Sequence, residues 1–335
     1  MPQSLNLLSP SALNTLLPEN WFDQPLERLA RFAPVQRLNW QLARDANVEV
    51  WVKREDLLDP FLGGNKLYKL HAHLRRWVTL DDMPLLTFGG AYSNHLCATA
   101  AAGAALRRKT IGIVRGERAS QLSITLKRAE AQGMELHFVS REDYATKHTQ
   151  AFEQRLRERL GDFYCVPEGG GDLLGARGCF TWARATLAMC QRPPSHVFTA
   201  SGTGATLAGI AAAMPKTCSL HGVLALKGRD EALHAFNANV LTMTEKLLQE
   251  GEPINAQNPS VTLETNYHCG GYAKFPEYLR AFVAKFEAET GVPLERVYTA
   301  KVFWALAQQL ISQAMRPGST VLVFHTGGLQ ILGER

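Results

Sequence analysis

The sequence predicts an α/β fold with mostly parallel sheets flanked by helices, and three observations predict it. Short runs rich in β-branched and aromatic residues alternate with longer runs of helical period over the whole length. Glycine clusters sit at the C-terminal ends of several of the short runs. No fixed-period repeat and no low-complexity linker breaks the alternation.

The first strand is expected at 48–55, VEVWVKRE, by its period-two alternation. Residues 66–78 follow as a helix, with Leu67, Leu70, Leu74, Trp77 and Val78 at helical spacing. PLLTFGG (84–90) and TIGIVRG (110–116) are apolar runs closed by glycine, separated by an alanine-rich helical pattern at 95–108. A helix at 121–132, the strand ELHFVS (135–140), one long helix at 143–160 and the strand DFYCVP (162–167) continue the order. After a helix at 173–191 come SHVFTA (195–200), LHGVLAL (220–226), SVTLET (260–265) and TVLVFHTGG (320–328). Helical patterns at 204–214, 230–249, 276–290 and 300–314 fill the intervals.

The chain has 335 residues, 46% hydrophobic and 20% charged, which is enough to bury a core and to form two domains. Its formal charge of +5 is modest, and the densest basic patches, LRRW (74–77) and LRRKT (106–110), lack interleaved aromatics, so they read as solvated faces rather than a nucleic-acid platform. The six cysteines form no CxxC pair, and Cys97 in LCATAAAGAAL reads as a reduced, buried thiol. The first twenty residues lack a charged leader region and are interrupted by proline, so no signal peptide is expected. The low-charge run near 96–106 is too short to span a bilayer, and a cytoplasmic protein is expected.

In open α/β sheets, ligands bind beyond the C-terminal strand ends. Here those ends carry GGAYSNH with Ser93 and Asn94, EGGGDLLG with Gly170, and SGTGATLAG. In the last of these, Ser201, Gly202, Thr203, Gly204, Ala205 and Thr206 would turn successive backbone N–H groups toward an anion at a helix N-terminus. The bland alternative is a small-residue turn that lets a helix pack closely. The sequence holds no GxxxxGK[ST], no GxSxG and no HExxH, and its glycine loop comes too late, and with the wrong spacing, for a dinucleotide site. His71 and His73 lie two apart on a helix, which is poor metal geometry, and no metal is expected.

In LGGNKLYKL (62–70), Lys66 sits where a glycine turn meets a helix start. A helix N-terminus disfavours an ammonium there, which suits a carbonyl-capturing amine. Lys53, Lys69 and Lys109 read as ordinary surface lysines whose stems lie along apolar helix or strand. A phosphate nest, an activated lysine and polar partners together suggest pyridoxal phosphate.

With these motifs in order, the chain resembles the fold-type II (tryptophan synthase β-like) pyridoxal-phosphate enzymes, in the branch of 1-aminocyclopropane-1-carboxylate (ACC) deaminase and D-cysteine desulfhydrase. The resemblance runs through KRED…GGNK…KL, GGAYSNH, SGTGAT, VYTAK and FHTGG and covers nearly the whole chain. It implies that Lys66 holds the cofactor covalently, that Asn94 meets its O3′, that Tyr298 lies against it, and that Thr326 meets the pyridine nitrogen. It implies further that Ser93, Asn94 and His95 receive the substrate carboxylate, that Gly170 and Tyr272 line the substrate site, and that Lys66, Tyr298 or Tyr272 moves the proton, with Ser93 close to the chemistry. Thr299 and Thr326 follow the desulfhydrase pattern rather than the tyrosine–glutamate and leucine of ACC deaminases, so D-cysteine desulfhydrase-like elimination is the leading expectation. ACC deaminase activity, or deamination of another β-substituted amino acid, is the alternative within enzymes. A non-catalytic cofactor or amino-acid binder is the alternative outside them. Asp172 stands where desulfhydrases carry asparagine, and reads best as a helix N-cap. A larger domain from 1–66 and 177–335, a smaller one from 67–176, and a homodimer are also implied.

Overall fold

The computed structural model describes residues 16–228, 230–250 and 260–329. The N-terminal segment 1–15, most of the stretch expected to lack a signal peptide, lies outside the described residues. In chain order the elements are α1 (Leu26–Phe32), β1 (Val35–Arg37), α2 (Gln41–Asp45), β2 (Glu49–Arg54), α3 (Asn65–Trp77), β3 (Leu85–Gly89), α4 (Asn94–Ala105), β4 (Thr110–Arg115), α5 (Ile124–Ala131) and β5 (Met134–Val139). They continue with α6 (Arg141–Ala145), α7 (Gln150–Leu160), β6 (Tyr164–Cys165), α8 (Leu173–Leu187), β7 (His196–Ser201), α9 (Ala205–Ala213), β8 (Ser219–Leu224), α10 (Asp230–Glu250), β9 (Ser260–Glu264), α11 (Glu277–Thr290), α12 (Thr299–Ile311) and β10 (Thr320–His325).

The strands form a six-stranded sheet, ordered β1-β2-β10-β7-β8-β9, and a four-stranded sheet, ordered β5-β4-β3-β6. All pairings are parallel except β1 on β2. The central strands β3, β7 and β10 are buried along nearly their whole length, as parallel strands covered by helices on both faces must be. Two differences from the expected elements have local causes. The helix expected at 143–160 is broken into α6 and α7, because Thr146 and Thr149 turn their hydroxyls onto backbone groups and Thr149 caps the second helix through the Phe152 amide. Strand β1 is a three-residue antiparallel edge, too short to leave a period. Asp172 is the N-cap of α8, accepting from the Gly175 amide at 2.9 Å, as the sequence suggested.

Lys53 corrects an expectation. It is not a surface lysine: it is fully buried, its ammonium donates to the carbonyls of Ala30 and Ala33, and it pairs with Glu55 at 3.3 Å. Glu55 also accepts from the Tyr68 hydroxyl at 2.9 Å and the Trp182 indole at 2.7 Å, whose rings stack at 4.9 Å. Burial pulls both charges toward neutrality, and their mutual attraction opposes that pull. This cluster joins α1, β2, α3 and α8. Replacing Lys53 with alanine strands a buried carboxylate, so K53A is expected to lose about 3–5 kcal/mol in urea unfolding. A loss below about 1 kcal/mol would show that the pair is solvated. Lys109, in contrast, is exposed as expected.

Candidate active site

The N-termini of α3, α4, α9 and α12 converge on the C-terminal ends of β3, β7 and β10, and a cavity of about 230 Å³ opens between them. Lys66, Asn94, Thr203, Tyr272, Tyr298 and Thr326 all line it, although they span most of the sequence.

The turn before α3 sets Lys66. Gly64 adopts φ 68°, ψ −162°, and a Cβ there would lie 2.2 Å from the Thr326 carbonyl oxygen. Only glycine allows that approach, which also lets the Asn65 amide donate to the same carbonyl at 3.3 Å. The α3 start is thus locked onto the loop after β10. The Lys66 ammonium donates to Asn65 Oδ1 at 2.6 Å, and Asn65 Nδ2 donates to Thr206 Oγ1 at 2.9 Å. Burial, reinforced by the charge of Lys69, brings the Lys66 amine down to about 7.

Lys69 departs from the surface role expected for it. One turn along the same helix face, it is 3% exposed and donates to Thr203 Oγ1 at 3.1 Å, and burial lowers its pKa. It therefore adds a cation to the loop between β7 and α9. In that loop Gly204 takes φ 89° and opens α9, while Gly202, Thr203 and Thr206 face the cavity. Ala205 lies buried behind them, as does Ser201, whose hydroxyl is without a partner. Successive backbone amides, a helix N-terminus and Lys69 make a cradle suited to a phosphate.

On the opposite wall Ser93 caps α4, accepting from the Leu96 amide at 3.3 Å. His95 is 2% exposed, and its role differs from the one expected. The single proton of the Thr87 hydroxyl goes to the Val166 carbonyl at 2.8 Å, so Thr87 accepts from His95 Nε2–H at 2.9 Å. Burial, with Lys66 and Lys69 nearby, holds the imidazole well below its ordinary pKa and hence neutral. Its Nδ1 is left as a buried lone pair without a partner, which repels a carboxylate rather than receiving it. The groups on this wall able to donate to an anion are the Ser93 hydroxyl, the Asn94 amide and the first backbone N–H groups of α4. Gly170 lies against Lys69 and His95 and does not line the cavity; Glu168 and Gly169 do.

The third wall is aromatic. The Tyr298 ring stands 3.5 Å from where a Cβ on Gly202 would lie, and 6.3 Å from the Tyr272 ring. Tyr272 donates its hydroxyl to the Tyr92 carbonyl at 3.3 Å. Burial pushes the Tyr272 phenol up to about 12 and also raises the Tyr298 phenol well above its ordinary value. Both are proton donors at neutral pH. Tyr298 is held by Glu295, a fully buried carboxylate that accepts from the backbone amides of Val297, Tyr298 and Thr299 and so caps α12. Burial raises Glu295 to about 7 against those bonds. Thr299 is consumed in the same cap, its hydroxyl accepting from the Glu295 amide at 2.8 Å.

Lys69, Glu295, Glu168 and Arg115 were not singled out from the sequence. Lys69 was accessible, since i and i+3 share a helix face with Lys66. Glu295, four residues before Thr299, carried the spacing of a helix-start carboxylate. Among the described residues no cluster of metal-ligating side chains occurs, and no helix is long and apolar enough to cross a membrane.

Comparison with known proteins agrees with this geometry. Over 318 residues, covering 88% of this chain and 76% of its relative, the sequence is 29% identical to the Arabidopsis thaliana protein named bifunctional D-cysteine desulfhydrase/1-aminocyclopropane-1-carboxylate deaminase, mitochondrial. It is 28% identical over 325 residues, with 92% of each chain covered, to the D-cysteine desulfhydrase of Serratia proteamaculans. A solved structure described as an ACC deaminase homologue shares the fold, with a TM-score of 0.75 at 23% identity over 89% of this chain and 90% of that one. A family model described as pyridoxal-phosphate dependent enzyme matches residues 25–327. That span holds the cavity-lining amine of Lys66 and the glycine loop before α9, and the chain belongs to the pyridoxal-phosphate dependent enzymes.

Proposed function

We propose that this enzyme catalyses β-elimination with deamination of a small β-substituted amino acid, with D-cysteine and water giving pyruvate, ammonia and sulfide. The observation that carries the reading is Lys66, a half-buried amine facing the cavity and brought to about 7 beside a phosphate nest and two protonated phenols. The residues present fit the cofactor: Lys69 stands at the loop of backbone amides that Gly204 opens into α9, where a phosphate would sit. When bound, pyridoxal phosphate supplies the electron sink for a carbanion at Cα.

The chain's own residues supply the rest. The loop Ser201–Thr206 and Lys69 would hold the phosphate, Asn94 the O3′ side, and Thr326 the pyridine nitrogen through a neutral hydroxyl. Ser93, Asn94 and the α4 N-terminus receive the carboxylate. Lys66, neutral above about pH 7, takes the α-proton, and Tyr272 and Tyr298 donate toward the departing group. Preorganised charge at these helix ends provides most of the protein's share of catalysis.

A purified sample with a cofactor band, giving pyruvate from D-cysteine or β-chloro-D-alanine, is the expected result. Absence of pyruvate from these and from their L forms and D-serine sinks the elimination reading. 2-Oxobutanoate from ACC would favour the second reading, which the bifunctional name of the Arabidopsis relative supports. The amine also predicts a pH dependence. Capture of added pyridoxal phosphate by the apo-protein should speed up as pH rises to about 7 and level off above it, because the neutral amine is the nucleophile. A rate still climbing about tenfold per pH unit beyond pH 8 would mean an ordinary lysine does the work.

We also propose the domain division at 1–66 with 177–335 and 67–176, which the separate four-stranded sheet of β3 to β6 supports. A homodimer and a cytoplasmic location belong to the same reading, the latter supported by six free cysteines. Light scattering at the mass of one chain would refute the dimer.

A further inference from the structure

The cavity holds one cation that neither the phosphate nor the α-carboxylate requires. Arg115 ends β4, beside β3, and its guanidinium reaches back to within 3.7 Å of where a Cβ on Gly90 would lie. It lines the same cavity as Ser93, Tyr272 and Glu168. The charges around it do not cancel it. Glu168 is paired with Lys147 at 3.3 Å, and Lys147 and Arg115 both stand over the Tyr144 ring. Among the described residues no ion pair joins Arg115 to a carboxylate. The remaining groups facing it are Tyr272, whose ionised form its charge favours, and Tyr144.

The position of that charge matters. Lys69 and the loop after β7 occupy the phosphate end, and the N-terminus of α4 already offers Ser93 and Asn94 to a carboxylate. Arg115 lies beside Gly90 and near Tyr272, away from both, on the side the proposed reaction leaves for the departing group. Arg115 is exposed at the mouth of this cavity, where its guanidinium is free to meet a planar anion through two parallel hydrogen bonds.

We propose that Arg115 is a specificity-determining residue, selecting amino acids whose side chain ends in a carboxylate. The preferred substrates are then β-substituted alanines with an anionic tail, so that D-cysteine is a minimal substrate rather than the best one. This rests on the reading of the cavity as the amino-acid site.

The test reads binding, not turnover. Holoenzyme is titrated with alanine and with aspartate, both hands of each, and the perturbation of the cofactor's visible band gives dissociation constants. Aspartate is expected to bind about tenfold or more tighter than alanine of the same hand, the worth of one charged hydrogen-bonded pair. That ratio should collapse toward one in Arg115→Gln and fall only partway in Arg115→Lys, which keeps the charge but loses the fork. Equal affinities in the parent overturn the proposal. So does an Arg115→Gln variant in which both amino acids weaken alike, because Arg115 would then be meeting the α-carboxylate. If neither amino acid perturbs the band, the amino-acid site itself is misassigned and both readings fall. If alanine alone does, only this one falls.

Discussion

Lys66→Ala is expected to reduce turnover by about 10⁴-fold or more, the scale of a lost acid–base group, with the loss of a covalent anchor added to it. The fold should survive. Among the described residues Lys66 forms no ion pair with a carboxylate, and its ammonium donates to the neighbouring Asn65 side chain. Its lowered pKa means that folding works against its charge, so removing the ammonium leaves no orphaned counter-ion. The variant should therefore unfold cooperatively close to the parent temperature. Borohydride reduction of the parent holoenzyme should fix the cofactor's mass on the peptide containing Lys66, and the same treatment of the variant should fix none. Elimination persisting in the variant, or the cofactor mass appearing on Lys69, would move the catalytic role to the neighbouring amine.

Gly64→Ala should be nearly as damaging, although it removes no chemistry. The added methyl would lie 2.2 Å from the Thr326 carbonyl oxygen and 3.1 Å from the Gly327 Cα, both backbone atoms that cannot swing aside. A positive φ alone costs a non-glycine residue about 1–3 kcal/mol. Gly161→Ala is the matched control, since Gly161 has φ 76° with nothing within 4 Å of an added Cβ. The control should show the conformational cost and keep its cofactor affinity. Gly64→Ala should show a larger stability loss and weaken cofactor retention by about a hundredfold, because α3 and the loop after β10 must move apart until the 2.2 Å approach becomes an ordinary carbon–oxygen contact. Equal behaviour of the two variants in equilibrium dialysis would show that the contact is soft.

Much of this site was legible before the fold was known, and for a physical reason. Strand ends such as FGG and FHTGG, and the turn GGNK, use glycine where backbone must approach backbone, so their positions survive as sequence patterns. The alternation of elements survives equally well, since wholly buried strands such as β3 and β10 must be continuous apolar runs. What was not legible depends on neighbours distant in sequence. Lys53 and Lys69 look like any lysine until α1 and the loop after β7 close over them. The neutral tautomer of His95 follows from Thr87 and Val166, which no local pattern links to it. Arg115 differs from an ordinary exposed arginine only in facing Tyr272 across a cavity that five or more segments build.

The register of the six-stranded sheet has a consequence for how the chain is made. Strand β2, complete by Arg54, takes its parallel neighbour from β10, where Thr320 pairs with Glu49 and His325 with Arg54. During synthesis the four-stranded sheet can close once Cys165 has left the ribosome, because all its strands lie between Leu85 and Cys165. The larger sheet cannot, since its second strand waits for β10, which follows every other strand of that sheet in the chain. Throughout that interval β2 exposes an apolar edge, screened on its other side only by the three residues of β1. Nascent chains stalled in this window are the form of the protein most in need of a chaperone, and the catalytic cavity, which needs Thr326 against Gly64, is among the last features to assemble.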